Sequence, residues 1–519
     1  MNNSAAILRA LIIYAICIPL ALVVGYVAVS LANAPSYSNF TVIGVVTLVL
    51  CAPILLRWHH PLLVLSWNLP LVVFFLPGNP PVYLPMLALS LGLSVLQRTM
   101  NREMRFIPAP QITLPLLCMV VVVVVTAKLT GGVGLRALGN PVMGGKKYVF
   151  LMAGILAYFA LTARRVPPRQ AGLYLALFLL GGCVSVMGDL IAFIPRPFYF
   201  IFLLFPPDLY AYTDQLADQA NSVRLGGVGV MSSAIFSYML ARYGINGIFR
   251  AGKVWRVAAF ILFAALVLFG GFRSMLLSCA LLFLIQFFME GLHRTRLLPI
   301  FAFIMLVAGV ICIPLANRLP NTFQRALSFL PLNINPAVRA DALGSLNWRI
   351  EMWEAVLPQV PSHLLLGKGY AISSEDYQMM GTDTALHSID PAEQGLALAG
   401  DYHSGPLSVI LPFGIWGTIA FVWFLIAGVW ALHHNRLYGD PALQTYNTFL
   451  FTAFVAKIIV FVFIFGALAN DMAGFTGLLG LSICLNGGIC RSAWQPDAIP
   501  AEPPAHRPLR PWLQPTFQR

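Results

Sequence analysis

Charged side chains are scarce in this sequence. Only 10% of its 519 residues are Asp, Glu, Lys or Arg, whereas 59% are hydrophobic, and the mean hydropathy is +0.80. This composition excludes a soluble globular protein, because too few polar side chains exist to cover a water-exposed surface. Apolar runs of about 20 residues, enough to cross a bilayer core of about 30 Å, recur along most of the chain. Because lipid offers no hydrogen bonds to the backbone, these runs predict helices and thus an all-α polytopic membrane protein.

Several catalytic signatures are also absent. The sequence has no phosphate-binding glycine loop, no dinucleotide fingerprint, no Cys/His zinc spacing, no His-Glu-x-x-His and no Asp-x-Asp pair of carboxylates. The eight cysteines all lie in or at the ends of the apolar runs, so they imply no disulfide framework. We therefore expect an active site that uses neither a metal ion nor a cofactor.

The apolar runs predict about 12 to 14 transmembrane helices. They cover residues 7–31, 39–56, 61–77, 82–97, 112–129, 148–163, 170–194, 225–243, 257–271, 274–290, 297–315, 404–431, 447–468 and 472–490. Arginines concentrate in every second loop, which predicts that both chain ends face the cytoplasm. Much of the net charge of +13 follows from this rule, so we expect no nucleic-acid binding. Lys146 and Lys147 are exceptions, since they lie in a loop predicted to face outward.

The predicted spans divide the chain into five parts. These are N-terminal helices at 1–194, central helices at 195–315, a periplasmic loop subdomain at 316–403, C-terminal helices at 404–490 and a disordered cytoplasmic tail at 491–519. The first apolar run is longer than the core of a signal peptide, so we interpret it as an uncleaved anchor. Within the large loop, apolar residues at helical spacing indicate an amphipathic helix, lying on the membrane surface or packed on the bundle. They are Ile350, Trp353, Val356 and Leu357.

Four cationic or titratable residues stand out on the predicted outer face: Arg224, Arg273, Arg349 and His403. Each also has an ordinary structural explanation. Arg224 could be a snorkelling anchor at the start of a helix. Arg273 could define a tight outward turn within a long apolar stretch. Arg349 and His403, each taken alone, could simply face water.

The order of these residues resembles that of the O-antigen ligase and Wzy-type polymerase superfamily. In that family an Arg-x-x-x-Trp helix and a Gly-x-Gly turn precede a His-Asn/Ser-x-x-Leu helix that carries two glycines further on. The matching residues here are Arg349 and Trp353, then Gly367 and Gly369, then His403, Ser404 and Leu407, with Gly414 and Gly417. Gly270-Gly271-Phe272-Arg273-Ser274 is similar to the family's Ser-Arg-Gly turn, and Arg224-Leu225-Gly226-Gly227 to its earlier Arg-x-x-Gly helix start.

The sequence departs from the family's pattern at two positions. Phe272 replaces the usual Ser before Arg273, which weakens the resemblance at that arginine. Ser404 replaces the commoner Asn after His403, which removes an amide and leaves the imidazole unchanged. The resemblance covers residues 220–420, and the first 200 residues add only spans.

The resemblance implies a GT-C-like glycosyltransferase of the bacterial inner membrane whose active site faces the periplasm. Its donor would be an undecaprenyl-diphosphate-linked glycan, and its acceptor a glycan or a lipid A core, both presented among membrane lipids. His403 would act as general base, since a neutral imidazole can take the proton of an acceptor hydroxyl. The donor diphosphate would be bound by Arg273, Arg349 and Arg224. Supporting residues would be Asp401, Tyr402, Ser404 and Trp353.

Other interpretations stay open at this point. Many spans with intramembrane cations would also suit a lipid-linked oligosaccharide flippase or another transporter, although such proteins usually show two related halves. His363 and His387 are rival bases in the same loop, and the polar segment 371–400 could line an acceptor groove. The motifs do not separate a ligase from a polymerase or from a protein O-glycosylating relative, and we favour polysaccharide synthesis.

Overall fold

The computed structural model describes residues 53–74, 76, 78–101, 106–131, 145–195, 198–199, 201–207, 224–250, 252–371 and 402–490. Across these residues the regular structure is helical, apart from one antiparallel bridge between Val72 and Pro81. The predicted all-α fold is confirmed. The predicted span 7–31, most of span 39–56, the segment 372–401 and the tail 491–519 lie outside the described residues. The division of the chain into five parts stays a prediction.

The main helices of the described residues are numbered here in chain order. They are α1 (Tyr83–Met100), α2 (Pro110–Thr130), α3 (Gly145–Leu161), α4 (Pro168–Asp189, partly 3-10), α5 (Gly226–Ile248), α6 (Val254–Leu266), α7 (Arg273–Met289), α8 (Leu297–Leu315), α9 (Asn321–Ala326), α10 (Pro336–Val356), α11 (Gly405–Tyr438), α12 (Gln444–Phe463) and α13 (Leu468–Asn486). Within the described residues, five helices are long and apolar enough to cross a membrane, namely α2, α4, α11, α12 and α13. The apolar helices α6, α7 and α8 also lie where apolar runs predicted spans.

The predicted span at residues 61–77 is wrong. Residues 53–66 are helical instead, so the helix passes through Arg57 and the two histidines that the sequence placed in a loop. Both histidines are buried and have hydrogen-bonding partners: His59 Nδ1 lies 3.0 Å from the hydroxyl of Ser90, and His60 Nε2 donates to the carbonyl of Leu161 at 2.9 Å. Because these bonds satisfy the polar rings, the helix continues where the charge pattern predicted a break.

Helix α13 is the most deeply buried of the five candidate spans, and it packs against α3, α11 and α12. Small residues allow this close packing. A Cβ atom at Gly154 of α3 would lie only 3.0 Å from the backbone nitrogen of Ala473, and Thr476 Oγ1 donates to the carbonyl of Gly154 at 2.7 Å. Van der Waals contact and interhelical hydrogen bonds of this kind associate helices in membranes.

The long apolar stretch at residues 257–290 is divided into two helices, as predicted. Helix α6 ends in a 3-10 turn, and Gly271 then adopts a left-handed φ of +66°. A side chain at this position would also meet Thr322 at 3.1 Å. Helix α7 begins directly afterwards at Arg273, so this charged residue lies at a helix end and not within a span.

The amphipathic helix predicted in the large loop is part of α10. Its N-terminal turn is capped by Asn335, whose side chain accepts from Ala337 N at 3.0 Å. The predicted apolar face is only partly correct, because Val356 is buried whereas Ile350 and Leu357 are 41% and 53% exposed. A second apolar stripe faces away from the bundle and consists of Leu343, Leu346, Ile350 and Leu357. Such an exposed stripe is typical of a helix that lies on a membrane surface.

Candidate active site

His403 lies in the short segment that leads into α11. Its φ is +48°, in the left-handed region that residues other than glycine rarely adopt. Helix α11 starts near His403, as predicted, with Gly405 as its first residue and Pro406 in its first turn. The span predicted at 404–431 is not one regular helix, because Gly414 interrupts it with φ 60° and ψ −159°.

Two aromatic rings contact the imidazole of His403. The centroid of Trp348 on α10 lies 5.1 Å away, and that of Phe465, between α12 and α13, lies 4.9 Å away. Both contacts are edge-to-face, the arrangement that aromatic pairs prefer. The guanidinium carbon of Arg349 lies 5.9 Å from the centroid of the same Phe465 ring, within cation–π range. One phenyl ring thus contacts both the candidate base and a candidate diphosphate ligand.

The backbone around His403 is attached to α10. Trp353 Nε1 donates to the carbonyl of Tyr402 at 2.8 Å. The buried side chain of Tyr402 packs in an apolar cluster with Met352 and Val356 of α10 and Leu407 of α11. Trp348 and Trp353, like Met352 and Val356, belong to one helix, so α10 positions the segment that carries His403.

Three arginines converge on the N-terminal part of the same helix. Arg273 Nη2 donates to the carbonyl of Ala342 at 3.1 Å. The neighbouring carboxylate of Asp341 lies 3.0 Å from Arg325 Nη1 and 3.8 Å from Arg224 Nη2. Arg224 is 13% and Arg325 11% exposed at the side chain, so both cations are largely withdrawn from solvent. Sequence reasoning did not identify Asp341 or Arg325.

The two groups of contacts are separated along α10. Ala342, where Arg273 binds, precedes Arg349 by seven residues on this helix. At a rise of 1.5 Å per residue the separation is about 10 Å. The structure therefore brings Arg224 and Arg273 together at one place and Arg349 and His403 together at another, with α10 common to both.

Arg224 is positioned by the way α5 begins. The buried carboxylate of Asp189 accepts from the backbone nitrogens of Gly227 at 3.0 Å and Val228 at 2.7 Å. An acidic group at this place satisfies free N–H groups and complements the helix dipole. A Cβ atom at Gly227 would overlap the carbonyl of Ser185, so the glycine of the Arg-x-x-Gly motif permits close backbone contact. Sequence reasoning did not identify Asp189 as the partner of this helix end.

The Gly-x-Gly turn crosses α11 at its interruption. Lys368 N donates to the carbonyl of Leu411 at 2.8 Å, and Gly369 N donates to that of Pro412 at 2.9 Å. Gly367 and Gly369 have φ values of +76° and +70°. A Cβ atom at Gly367 would overlap the carbonyl of Pro412. The family's glycines therefore serve here to let two backbones touch.

The remaining candidates are distributed as follows. Asp401 and His387 lie outside the described residues. Ser404 accepts from Ser408 N through its carbonyl at 2.9 Å, and its side chain makes no cap to α11. His363 Nδ1 lies 2.9 Å from the carbonyl of Gln359 on its own loop. Among the described residues, no group of three or more His, Cys, Asp or Glu side chains is placed to hold a metal ion.

Residues 258–422 match the family model described as O-antigen ligase. This segment is an O-antigen ligase domain. The resemblance predicted from the motifs is confirmed, since the segment contains Arg273, Arg349 and His403. A search of curated proteins found no match.

The O-antigen ligase domain extends from within α6 to within α11 and includes α10. Two residues that contribute to the site lie outside it. Arg224 precedes the domain and reaches Asp341, while Phe465 follows it and contacts His403. The site is therefore completed by parts of the chain on both sides of the matched segment.

Proposed function

We propose that this protein is an inner-membrane glycosyltransferase that acts as an O-antigen ligase or polysaccharide polymerase. It moves glycan from an undecaprenyl-diphosphate carrier to a glycan or glycolipid acceptor on the periplasmic side. The observation that supports this most is that α10 contacts His403 through Trp348 and receives Arg273 at the carbonyl of Ala342. A candidate base and candidate diphosphate ligands are thus attached to one rigid element of the O-antigen ligase domain.

The arginines would stabilise the leaving group. In the reaction, the acceptor oxygen bonds to the anomeric carbon while the bond from that carbon to the diphosphate oxygen breaks, and the electron pair leaves with the diphosphate. Negative charge grows on that group, and arginine meets it with paired donors that keep their proton. Each hydrogen bond to a charged partner is worth about 1.5–3 kcal/mol. Fixed cations placed where charge develops are an effective means of lowering such a barrier.

His403 would take the proton of the acceptor hydroxyl. The edge contacts with Trp348 and Phe465 restrict the orientation of the imidazole. A positioned base of this kind contributes typically about 10²–10⁴ in rate. The phenyl ring of Phe465 also contacts Arg349. A change in the position of this ring would therefore affect both the candidate base and a candidate diphosphate ligand.

The first test compares His403→Ala with His363→Ala. His363 lies in the same loop and bonds locally to Gln359, so its removal controls for the loss of any histidine there. Purified protein is given an undecaprenyl-diphosphate-linked glycan and a lipid acceptor, with chelator present. We expect His403→Ala to lower the transfer rate by about 10²–10⁴ and His363→Ala to leave it unchanged. Equal rates in the two variants would remove His403 from the role of base, and movement of donor across liposomes without transfer would favour a transporter.

A second test addresses the arginines. Arg273→Lys and Arg349→Lys keep the charge but lose the planar donor pair, so we expect transfer to fall while insertion and folding persist. Arg339→Lys is the matched control, because Arg339 is an exposed residue on the same helix. Full activity in Arg273→Lys and Arg349→Lys, or an equal loss in the control, would contradict the assignment.

A further inference from the structure

A lateral groove lies among α1, α2 and α3, away from the arginines. Its volume is about 710 Å³, within the range of about 300–1,000 Å³ found for small-molecule sites. The lining is almost entirely aliphatic, with side chains such as Leu87, Leu91, Val124 and Met152. The polar contributions come from Lys128 and Tyr148 at one end. An apolar groove with polar groups at one end fits a molecule with a hydrocarbon chain and a polar head.

The polar end of the groove is at the same end of the bundle as His403. The hydroxyl of Tyr148 accepts from Tyr370 N at 2.9 Å, directly after the Gly-x-Gly turn. That turn donates through Gly369 N to the carbonyl of Pro412 on α11, which begins beside His403. One hydrogen-bonded turn therefore connects the groove to the helix of the candidate base.

Positive charge surrounds this end. Lys128 lies in the last turn of α2, and Lys146 and Lys147 lie in the first turn of α3. Lys146 Nζ donates to the carbonyl of Gly78 at 3.4 Å, and Lys147 Nζ lies 5.9 Å from the ring centroid of Tyr370. The helices α1, α2 and α3 contain no Asp or Glu. The charge is complementary to an anionic head group.

The groove and the arginines are on different helices. Helix α2 packs against α11, and α3 packs against α13, whereas α5 and α7 pack against each other and against α12. If the arginines hold the donor diphosphate, the groove belongs to a second lipid. A second, anionic lipid would also explain why Lys146 and Lys147 occur at an end of α3 that the sequence predicts to face outward, where basic residues are unexpected.

We propose that this groove binds the acceptor of the reaction, a phosphorylated glycolipid whose acyl chain lies between α1, α2 and α3 and whose phosphate meets Lys128, Lys146 and Lys147. The role of this lipid as acceptor rests on the proposed function, whereas its binding in the groove does not. The acceptor sugar then extends past Tyr148 and the Gly-x-Gly turn toward His403. The donor and the acceptor thus bind beside different helices of the bundle.

The test measures binding and transfer separately. Ala88→Trp places an indole in the groove at a residue that lines it and is exposed. Val121→Trp is the control, because Val121 is 61% exposed on α2 and does not line the groove. Purified bisphosphorylated lipid A is the probe, counted on each variant by native mass spectrometry. We expect at least tenfold weaker lipid A binding for Ala88→Trp and none of this loss for Val121→Trp.

A charge variant keeps the proposal testable if the indole disturbs folding. Lys128→Gln, Lys146→Gln and Lys147→Gln are combined, with Lys253→Gln as an exposed control at the opposite end of the bundle. Attraction of an anionic lipid by one lysine is worth about a fivefold factor, so three give about a hundredfold. We expect this loss in lipid A binding, with a raised KM for acceptor and an unchanged KM for donor.

Three results would overturn the proposal. They are unchanged lipid A binding in both groove variants, displacement of lipid A from the natural protein by equimolar undecaprenyl phosphate, and a raised KM for donor alone. A fourth result would separate the two proposals: no glycan transfer by the natural protein, with lipid A binding lowered in both groove variants and in neither control. It would refute the proposed function but retain the groove as a lipid site.

Discussion

The crossing of residues 364–369 over α11 makes a quantitative prediction for Gly367→Ala. The φ of Gly367 is +76°, where any other residue costs about 1–2 kcal/mol in backbone strain. The new Cβ would also overlap the carbonyl of Pro412, so the two backbones must separate. Separation breaks the hydrogen bonds of 2.8 and 2.9 Å that the turn donates to α11. With about 0.5–1.5 kcal/mol for each bond, we expect the free energy of unfolding to fall by about 2–5 kcal/mol.

Gly291→Ala is the matched control for this variant. Gly291 has a φ of +72°, but no atom lies within 4 Å of the Cβ position. It therefore carries the strain of about 1–2 kcal/mol without the overlap. Both variants are heated in the same detergent at one scan rate and followed by tryptophan fluorescence, because membrane proteins often unfold irreversibly. Gly367→Ala should unfold at the lower temperature and lose transfer activity, and an equal shift in the two variants would refute the role of the crossing.

Two further predictions concern ion pairs. Asp341→Asn removes the charge that orients Arg224 and Arg325, so we expect a raised KM for the donor in a folded protein, and an unchanged KM would exclude this role. Lys457 Nζ lies 2.6 Å from the carboxylate of Asp471, so Asp471→Asn removes the charged partner of this lysine. Both side chains are about a quarter exposed (26% and 21%), so we expect a loss of about 1–3 kcal/mol in stability, less than for a fully buried pair. Adding Lys457→Met should restore part of it in thermal unfolding, whereas additive losses would contradict a direct coupling.

The helices were predictable because their physical cause is local. Apolar runs bounded by charge or by glycine placed α1 to α8 and α11 to α13 in outline, and the glycines before Arg273 correctly divided α6 from α7. The error at residues 61–77 has a long-range cause. His59 and His60 find partners on helices that come much later in the chain, and nothing near them in the sequence shows this.

The candidate site was predictable only as far as motifs reach. The resemblance carried by Arg349, Trp353 and His403 implied that α10 and the start of α11 act together, and the structure places them in contact. Phe465 was not predictable, since nothing in the sequence distinguishes it from the other phenylalanines among the 36 in the chain. Its contact with His403 is seen only in the folded structure. Asp341 was missed for a similar reason, because its significance lies in the arginines that reach it from other helices.

Two tyrosines mark the ends of the segment that connects the Gly-x-Gly turn to α11. Tyr370 is bound to the hydroxyl of Tyr148 through its backbone nitrogen, and Tyr402 is bound to the indole of Trp353 through its carbonyl. Neither attachment depends on the number of residues between them. Doubling the number of residues between two attached ends costs in general only about 0.6 kcal/mol in closure entropy. Insertions, deletions and exchanges between positions 372 and 400 should thus leave both attachments, and the place of His403, unchanged.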